Sequence, residues 1–196
     1  HYVHDIRPIF KLTLWRLQHP QDFMFGGICH PVDVLRWFIG DIEELQAYGC
    51  RGGISEYPLF DNFILNLKFK NGVIGRVLGL YGIIEPPEPM MKVALYGKKM
   101  NAVATYNDNK GGEVYLVWDD IEYKQPAKMS FPPELGIDVY GHTKTVIRYM
   151  RHFENCLVNN LGPSPGVIDG AKTISVGHAA WISIKEGRIV KVQNEF

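Results

Sequence analysis

The residues best suited to chemistry lie in one short segment that begins with two glycines. His30 and Asp33 follow Gly26 and Gly27 and are three residues apart, a spacing that places both side chains on one face of a helix. A histidine exchanges its proton near neutral pH, so His30 is a candidate acid/base group. The two glycines allow a ligand to approach the backbone beside it.

The same segment also has a purely structural interpretation. An aspartate in the first helical turn accepts hydrogen bonds from free backbone N–H groups and interacts favourably with the helix dipole. Asp33 fits this role, and His30 fits a helix cap or a buried, hydrogen-bonded core residue. Spacing alone favours the structural interpretation, because helix-start chemistry of this kind is common.

An aromatic residue and a basic residue earlier in the chain are candidate ligand contacts. Trp15 and Arg16 are adjacent, and an exposed pair of this kind can stack on a sugar and hydrogen-bond it. The alternative is that Trp15 belongs to the core while Arg16 is merely solvated.

A metal site is a further possibility at the same place. His4 and Asp5 carry metal-ligating groups and could join His30 and Asp33 in a metal-dependent lyase or hydrolase. Only the residue types support this interpretation, since their spacing matches no metal motif. We therefore expect no metal ligands.

Composition limits the classes of partner. The 196 residues fit one substantial domain or a large piece of a two-domain protein. Basic and acidic residues number 21 each, so the formal net charge is zero, which argues against a nucleic-acid or anionic-membrane partner. No apolar run approaches the length of a membrane span, and no secretory signal is recognised, so we expect a cytoplasmic protein. Because the chain begins at His1 with strand-like sequence, we interpret it as a fragment or processed product.

The cysteines favour the same compartment. Cys29, Cys50 and Cys156 are odd in number and widely separated, which fits reduced thiols better than a disulfide framework. No pair has CxxC spacing, so a zinc site is not expected. A reactive thiol at Cys29 is a weaker interpretation than simple packing.

Two helical signals and one extended segment frame the candidate site. His1–Phe10 is predicted to be extended and to stop at Pro8. A helix is predicted to begin at Pro31, which suits the first helical position, and to end at Gly40, which suits a left-handed cap.

The rest of the chain predicts an open antiparallel sheet with helices. Phe63, Leu65, Leu67 and Phe69 alternate with other residues at period two, and Asn71-Gly72 predicts a type I′ hairpin turn. Lys124–Gly141 is predicted to be a proline-bearing loop. Further strands are predicted at 42–50, 91–96, 101–106, 113–118 and 188–192, and helices at 141–160 and 169–186.

The order of these motifs resembles one enzyme family. No GxGxxG segment follows a strand and opens a helix, so the chain has no Rossmann fingerprint. The segment Gly26-Gly27, His30-x-x-Asp33, Leu35-Arg36-Trp37 and Gly40-Asp41 resembles the C-terminal domain of glucose-fructose oxidoreductase/inositol dehydrogenase-like (Gfo/Idh/MocA) proteins. The far end is similar to that family's last helix and strand, at Asp169-Gly170-Ala171-Lys172, Ala179-Ala180, Ser183 and Gly187-Arg188-Ile189-Val190.

This resemblance implies half of a two-domain oxidoreductase for sugars, polyols or related hydroxy compounds. The expected fold is α+β, an open, mostly antiparallel sheet with helices on one face and a homodimer or homotetramer interface on the other. Residues 1–196 would be a single substrate-binding and oligomerisation domain, inactive alone. NAD or NADP, and a lysine of a Glu-Lys-Pro motif, would belong to an N-terminal Rossmann domain absent from this chain.

The resemblance also assigns roles to individual residues. His30 is implied to be the acid/base group on the substrate hydroxyl, with substrate contacts from Asp33, Trp15, Arg16 and His4. The family often has an aspartate four residues before the histidine, where this chain has Gly26. The supporting carboxylate is therefore missing unless Asp33 or Asp5 replaces it, which keeps a non-catalytic sugar-binding or assembly module as the alternative.

Overall fold

A computed structural model of the chain describes residues 1–84, 89–107, 111–120, 123–131 and 143–196. Over these residues the fold is α+β, with nine strands in an open, mostly antiparallel sheet, as predicted. The chain divides into two compact units, His1–Met91 with Ala171–Phe196 and Lys92–Gly170. The candidate site residues all belong to the first unit.

The first unit contains five strands, β1 (Tyr2–Val3), β2 (Ile42–Cys50), β3 (Asn62–Phe69), β4 (Ile74–Leu80) and β9 (Val190–Lys191). They lie in the order β1-β4-β3-β2-β9. Strand β1 pairs with β4 in parallel, whereas β2, β3, β4 and β9 pair antiparallel. The helices are α1 (Arg7–Leu12), α2 (Trp15–Gln18), a π-helix (Met24–Ile28), α3 (Cys29–Ile39) and α5 (Val167–Glu186), which starts in the second unit.

The core of the first unit lies between the sheet and two helices. The alternating residues of β3 predicted to face inward are all buried, as the period of a half-buried strand requires. They form one cluster with Val32 of α3 and with Val176 and Ala180 of α5. Packing on the sheet therefore fixes α3, the helix that carries His30.

The second unit contains an antiparallel run of strands and one helix. They are β5 (Met91–Tyr96, whose first residue lies in the first unit), β6 (Met100–Asn107), β7 (Gly111–Asp120), β8 (Tyr123–Phe131) and α4 (Thr143–Val158). The predicted loop at 124–141 is wrong over 124–131, since these residues form most of β8. Proline is tolerated on an edge strand, and Pro126 pairs with Val117 on such a strand. Residues 132–142 lie outside the described residues.

The N-terminal segment also differs from its prediction. Only Tyr2–Val3 is a strand, and Arg7–Leu12 is a helix with Pro8 in its first turn. Proline at that position breaks no helical hydrogen bond, because the first N–H groups have no helical partner. Pro8 therefore marks a helix start and not the end of an extended segment.

Glycines with a positive φ end the predicted helices and turn. Gly40 and Gly187 follow α3 and α5 with φ of 107° and 66°, which confirms both as helix ends. The turn after β3 is closed by the Gly72 N–H donating to the Phe69 carbonyl at 2.9 Å. Gly72 has a positive φ but Asn71 does not, so the type I′ prediction is wrong.

A membrane-spanning helix is not found: in the described ranges no helix is both long and apolar enough to cross a bilayer.

Candidate functional site

The helical segment that carries His30 begins earlier than its prediction. The Asp22 carboxylate accepts a hydrogen bond from the Met24 N–H at 2.8 Å, and the Asp22 carbonyl accepts one from the Gly26 N–H at 2.8 Å. The π-helix then continues directly into α3, so the predicted start at Pro31 is wrong. An aspartate just before a helix is a recognised start signal, and Asp22 was the missed cue.

Asp22 also fastens this segment to α5. Its second carboxylate oxygen accepts a hydrogen bond from the Trp181 indole N–H at 2.7 Å. The Asp22 side chain thus binds both the backbone at the start of the π-helix and a residue of α5. These two hydrogen bonds hold the backbone that leads to His30 in place.

His30 is exposed and contacts an aromatic residue of β1. Its ring lies 6.1 Å from the Tyr2 ring at an interplanar angle of 67°. Tyr2 also stacks on His4, with ring centroids 5.9 Å apart. The Tyr2 ring therefore contacts both imidazoles. The structure brings His4 and His30 together, which the sequence alone does not show.

Tyr81, a buried residue, packs against Tyr2. Its ring meets Tyr2 edge-to-face at 5.4 Å, and it is 2% exposed. Burial raises the pKa of Tyr81 well above its ordinary value, so the phenol stays neutral. A Cβ built on Gly27 would lie 2.5 Å from the Tyr81 ring, so close packing against Tyr81 requires glycine at position 27.

Trp15 and Arg16 form a second group near the glycines. The Arg16 guanidinium lies 4.7 Å above the Trp15 ring, in cation–π contact. Trp15 is 52% exposed, so the alternative that places it in the core is wrong. Arg16 Nη1 donates a hydrogen bond to Gln21 Oε1 at 2.9 Å, and the Gln21 amide lies directly beside Gly26.

The Asp33 carboxylate contacts α5. Asp33 Oδ1 accepts a hydrogen bond from the Thr173 hydroxyl at 2.7 Å and lies 3.6 Å from Arg36 Nη1. The same Arg36 nitrogen donates to the Thr173 oxygen at 2.6 Å. These contacts link α3 to α5, whereas the first-turn backbone cap considered from the sequence is not formed, because the π-helix precedes α3.

Asp41, just after α3, completes this polar network. It accepts hydrogen bonds from Lys172 at 2.7 Å and from Arg36 at 3.2 Å. Burial raises the pKa of the Asp41 carboxyl, but these two cations outweigh burial and hold it below the ordinary value of 3.8. Asp41 is therefore a charged link between α3 and α5.

Asp5 has a local partner. Arg7 donates to both of its carboxylate oxygens, at 2.8 and 2.6 Å, and this hydrogen bonding lowers the pKa of Asp5. In the part of the chain that the structure describes, no three His, Cys, Asp or Glu residues are arranged to hold a metal ion. Burial raises the pKa of the Cys29 thiol, which disfavours the reactive thiolate.

Comparison with known proteins assigns almost the whole chain to one family domain. The profile of an oxidoreductase family's C-terminal alpha/beta domain matches residues 2–192. A comparison with curated proteins finds no match.

Solved structures share this fold at low sequence identity. Levoglucosan dehydrogenase in complex with NADH and L-sorbose is 18% identical, with a TM-score of 0.74 over 99% of this chain and 57% of that one. An oxidoreductase from Agrobacterium radiobacter in complex with NAD+, L-tartaric acid and magnesium is 20% identical, with a TM-score of 0.71 over 83% of this chain and 47% of that one. The WlbA dehydrogenase from Bordetella pertussis, in complex with NADH and UDP-GlcNAcA, is 18% identical, with a TM-score of 0.51 over 85% of this chain and 44% of that one. The chain thus spans about half the length of these proteins.

Proposed function

Because the chain belongs to the Gfo/Idh/MocA oxidoreductase family, as its C-terminal alpha/beta domain, we propose that it is the substrate-binding half of an NAD(P)-dependent oxidoreductase. The substrate class is a sugar, a polyol or a related hydroxy compound. The observation that carries this proposal is the exposed His30, held against Tyr2 beside a glycine segment. The solved relatives support it, since their complexes contain NADH or NAD+ and hydroxylated compounds.

His30 supplies the proton chemistry in this proposal. Oxidation of an alcohol removes a proton from oxygen and a hydride from carbon, and an imidazole near its pKa is suited to take the proton. The T-shaped contact with Tyr2 restricts the orientation of the His30 ring. His4, which stacks on Tyr2, and the Trp15–Arg16 pair would contact the remaining hydroxyl groups.

Asp33 has a smaller part in substrate binding. One of its oxygens already accepts the Thr173 hydroxyl, and its side chain is 53% exposed. Only the second oxygen is open to a substrate, so we assign Asp33 mainly to the α3–α5 contact.

The nicotinamide cofactor would accept the hydride, but the residues of this chain do not fit a binding site for the dinucleotide. Phosphates of such cofactors bind at a glycine-rich turn between a strand and a helix, and the sequence has no GxGxxG segment. The Gly26-Gly27 segment lies within a continuous helix and packs against Gln21 and Tyr81. NAD or NADP would therefore bind elsewhere in the whole protein.

A second copy of the chain is the proposed partner for the outer sheet face. On β2, β3 and β4 this face exposes Tyr48, Ile64 and Ile74 among polar residues. These strands also line a shallow groove of about 560 Å³. Exposed apolar surface of this kind favours an interface, so we propose a homodimer or homotetramer through it.

A non-catalytic sugar-binding or assembly module is the second candidate. Gly26 favours it, because no carboxylate occurs at the position one turn before His30. In that case Trp15, Arg16 and His4 would still bind a sugar, but no proton transfer would follow.

The experiment uses the full-length product of the gene. NAD(H) and NADP(H) are titrated into it by calorimetry, and oxidation of levoglucosan, L-sorbose and a panel of polyols is followed by nicotinamide absorbance. We expect one cofactor to bind and His30→Ala to lower kcat by about 10²- to 10⁴-fold. The control is His19→Ala, an exposed histidine at the end of α2, which should retain full activity.

Two outcomes would contradict the enzyme proposal. Sugar binding without cofactor binding or turnover would establish the binding module instead. Turnover that survives His30→Ala would retain the oxidoreductase but remove His30 as its acid/base group.

A further inference from the structure

The space beside Gly26 determines which groups can act together with His30. Residues 26 and 30 are one helical turn apart in a continuous helical segment, so they share one face. Gly26 has no side chain to place on that face. The group that fills this space therefore decides the chemistry next to the imidazole.

Gln21 fills the space. A Cβ built on Gly26 would lie 2.5 Å from Gln21 Cδ, and the Nε2 atom is closer still. Contact with the backbone of position 26 is therefore made by the end of the Gln21 amide. The Gln21 backbone is itself fixed, because the Tyr57 hydroxyl donates a hydrogen bond to its carbonyl.

The orientation of the amide follows from its partner. Arg16 donates to Gln21 Oε1 at 2.9 Å, and a guanidinium has donors only. The amide oxygen must therefore face Arg16, which leaves the two Nε2 hydrogens on the Gly26 side. The Trp15 ring supports Arg16 at 4.7 Å, so an aromatic residue, a cation and an amide form one chain of contacts that ends beside Gly26.

We propose that the Gln21 amide N–H binds the substrate oxygen from which His30 removes the proton. The inference rests on the proposed oxidoreductase function. As the alcohol proton passes to the imidazole and the carbon gives up its hydride to the NAD(P)+ that the proposed function requires, the C–O single bond becomes a carbonyl. An N–H donor stabilises the negative charge that develops on that oxygen, and the Arg16 hydrogen bond makes the amide a stronger donor.

This arrangement differs from a carboxylate in one chemical respect. A carboxylate beside the imidazole would accept a proton and compete for the substrate hydroxyl, whereas the Gln21 amide nitrogen only donates. The oxygen partner beside His30 is then neutral and cannot take the substrate proton. Gly26 is the residue that makes room for this partner.

The kinetic test compares two glutamines of the full-length product. Gln21→Ala should lower kcat/KM by about 10- to 100-fold, with most of the loss in kcat, because the hydrogen bond strengthens in the transition state. The matched control, Gln18→Ala, changes an exposed residue three positions earlier and should leave both constants unchanged.

A steric variant tests the same contact from the other side. Gly26→Ala places a methyl group where the amide lies and should displace it, giving a loss in kcat equal to that of Gln21→Ala. The double variant should then be no worse than either single one, because the second substitution has nothing left to remove. Additive losses, or full activity of Gln21→Ala in a working enzyme, would overturn the proposal.

The placement has a readout that requires no turnover. Diethyl pyrocarbonate acylates a histidine in its neutral form and not in its protonated form, and the rate of this reaction at His30 is measured at pH 7 by peptide mass spectrometry. Gln21→Glu puts a carboxylate near the ring and should slow this rate by about two- to threefold through a higher imidazole pKa, while Gln18→Glu should not. An unchanged rate in Gln21→Glu would overturn the placement, whereas a slowed rate in a protein that oxidises no hydroxy compound would contradict only the proposed function.

Discussion

At the scale of single residues, spacing along the chain places Asp33 next to His30 but does not predict what Asp33 contacts. Asp33 shares a helix face with His30, as the three-residue spacing predicts. Its hydrogen-bond partner is nevertheless Thr173, 140 residues away. A helical period specifies which side chains lie close on one element, but not which distant element packs against them.

Substitution of Asp33 should therefore affect stability more than substrate binding. Asp33→Asn in the full-length product should lower the free energy of unfolding by about 1 kcal/mol, at the low end for a charged hydrogen bond because the side chain is half exposed. KM should change less than twofold. Urea unfolding and steady-state kinetics measure the two quantities.

Thr173→Val provides the matched variant on the other helix, since it removes this hydrogen bond together with the one that Thr173 accepts from Arg36. Its cost should be at least as large, and the two substitutions together should cost less than their sum. A tenfold rise in KM for Asp33→Asn without loss of stability would show instead that Asp33 binds substrate.

At the scale of elements, the sequence predicted what periodicity and glycine caps determine. The end of α3 at Gly40 and the buried face of β3 are confirmed for that reason. The start of the helix was missed because Gly26-Gly27 indicates a break, whereas Asp22 and Trp181 hold those glycines in helical conformation. The contact between Gln21 and Gly26 likewise depends on side-chain packing that no local pattern encodes.

The link between α3 and α5 predicts a specific acid sensitivity. Because the pKa of Asp41 is lower in the folded state than its ordinary value of 3.8, the ionised carboxylate stabilises the fold above that value. This stability is lost as the pH falls below about 4, through the folded-state pKa. Asp41→Asn should cost about 1–2 kcal/mol at pH 7 and flatten the acid limb of a stability profile.

The control for Asp41 is Glu195→Gln, which neutralises an exposed carboxylate near the C-terminus. It should leave the acid limb of urea-unfolding midpoints between pH 3 and pH 7 as steep as in the unaltered protein. An Asp41→Asn protein with an equally steep acid limb would contradict the assigned network.

A second element-scale prediction concerns the loop between β2 and β3. The buried Asp61 carboxylate accepts hydrogen bonds from the N–H groups of Gly52, Gly53 and Ile54 at 2.9, 2.8 and 3.0 Å. A Cβ on Gly53 would overlap the Gly82 carbonyl group, which is backbone and cannot rotate away. Gly53→Ala should therefore cost about 2–3 kcal/mol.

The neighbouring glycine gives the comparison for this loop. A Cβ on Gly52 would meet only the Asn62 side-chain amide at 3.3 Å, so Gly52→Ala should cost under about 1 kcal/mol. Urea unfolding of both variants measures the difference. Equal costs would show that the approach of Gly53 to Gly82 does not constrain the loop.

At the scale of the whole molecule, the proposed oxidation requires a dinucleotide-binding component in addition to His30. The chain spans about half of each solved relative, and its sequence has no GxGxxG segment. Sequence motifs could identify the family domain, since the order of the His30 segment, the strands and the final helix resembles it and the family profile matches residues 2–192. They could not specify the substrate, which depends on side chains brought together by folding.

The outer sheet face carries the remaining whole-molecule prediction. Ile74 on β4 is 80% exposed and lines the shallow groove of that face. If two copies bury this face against each other, a charge at position 74 leaves an unpaired, desolvated carboxylate in the interface. Ile74→Glu in the full-length product should therefore shift a dimer or tetramer towards smaller species in light scattering at micromolar concentration.

The control is Leu12→Glu, on α1 and 68% exposed, which introduces the same charge away from the sheet and should leave the assembly intact. A monomer before any substitution, or an unchanged mass in Ile74→Glu, would show that this face is not the interface.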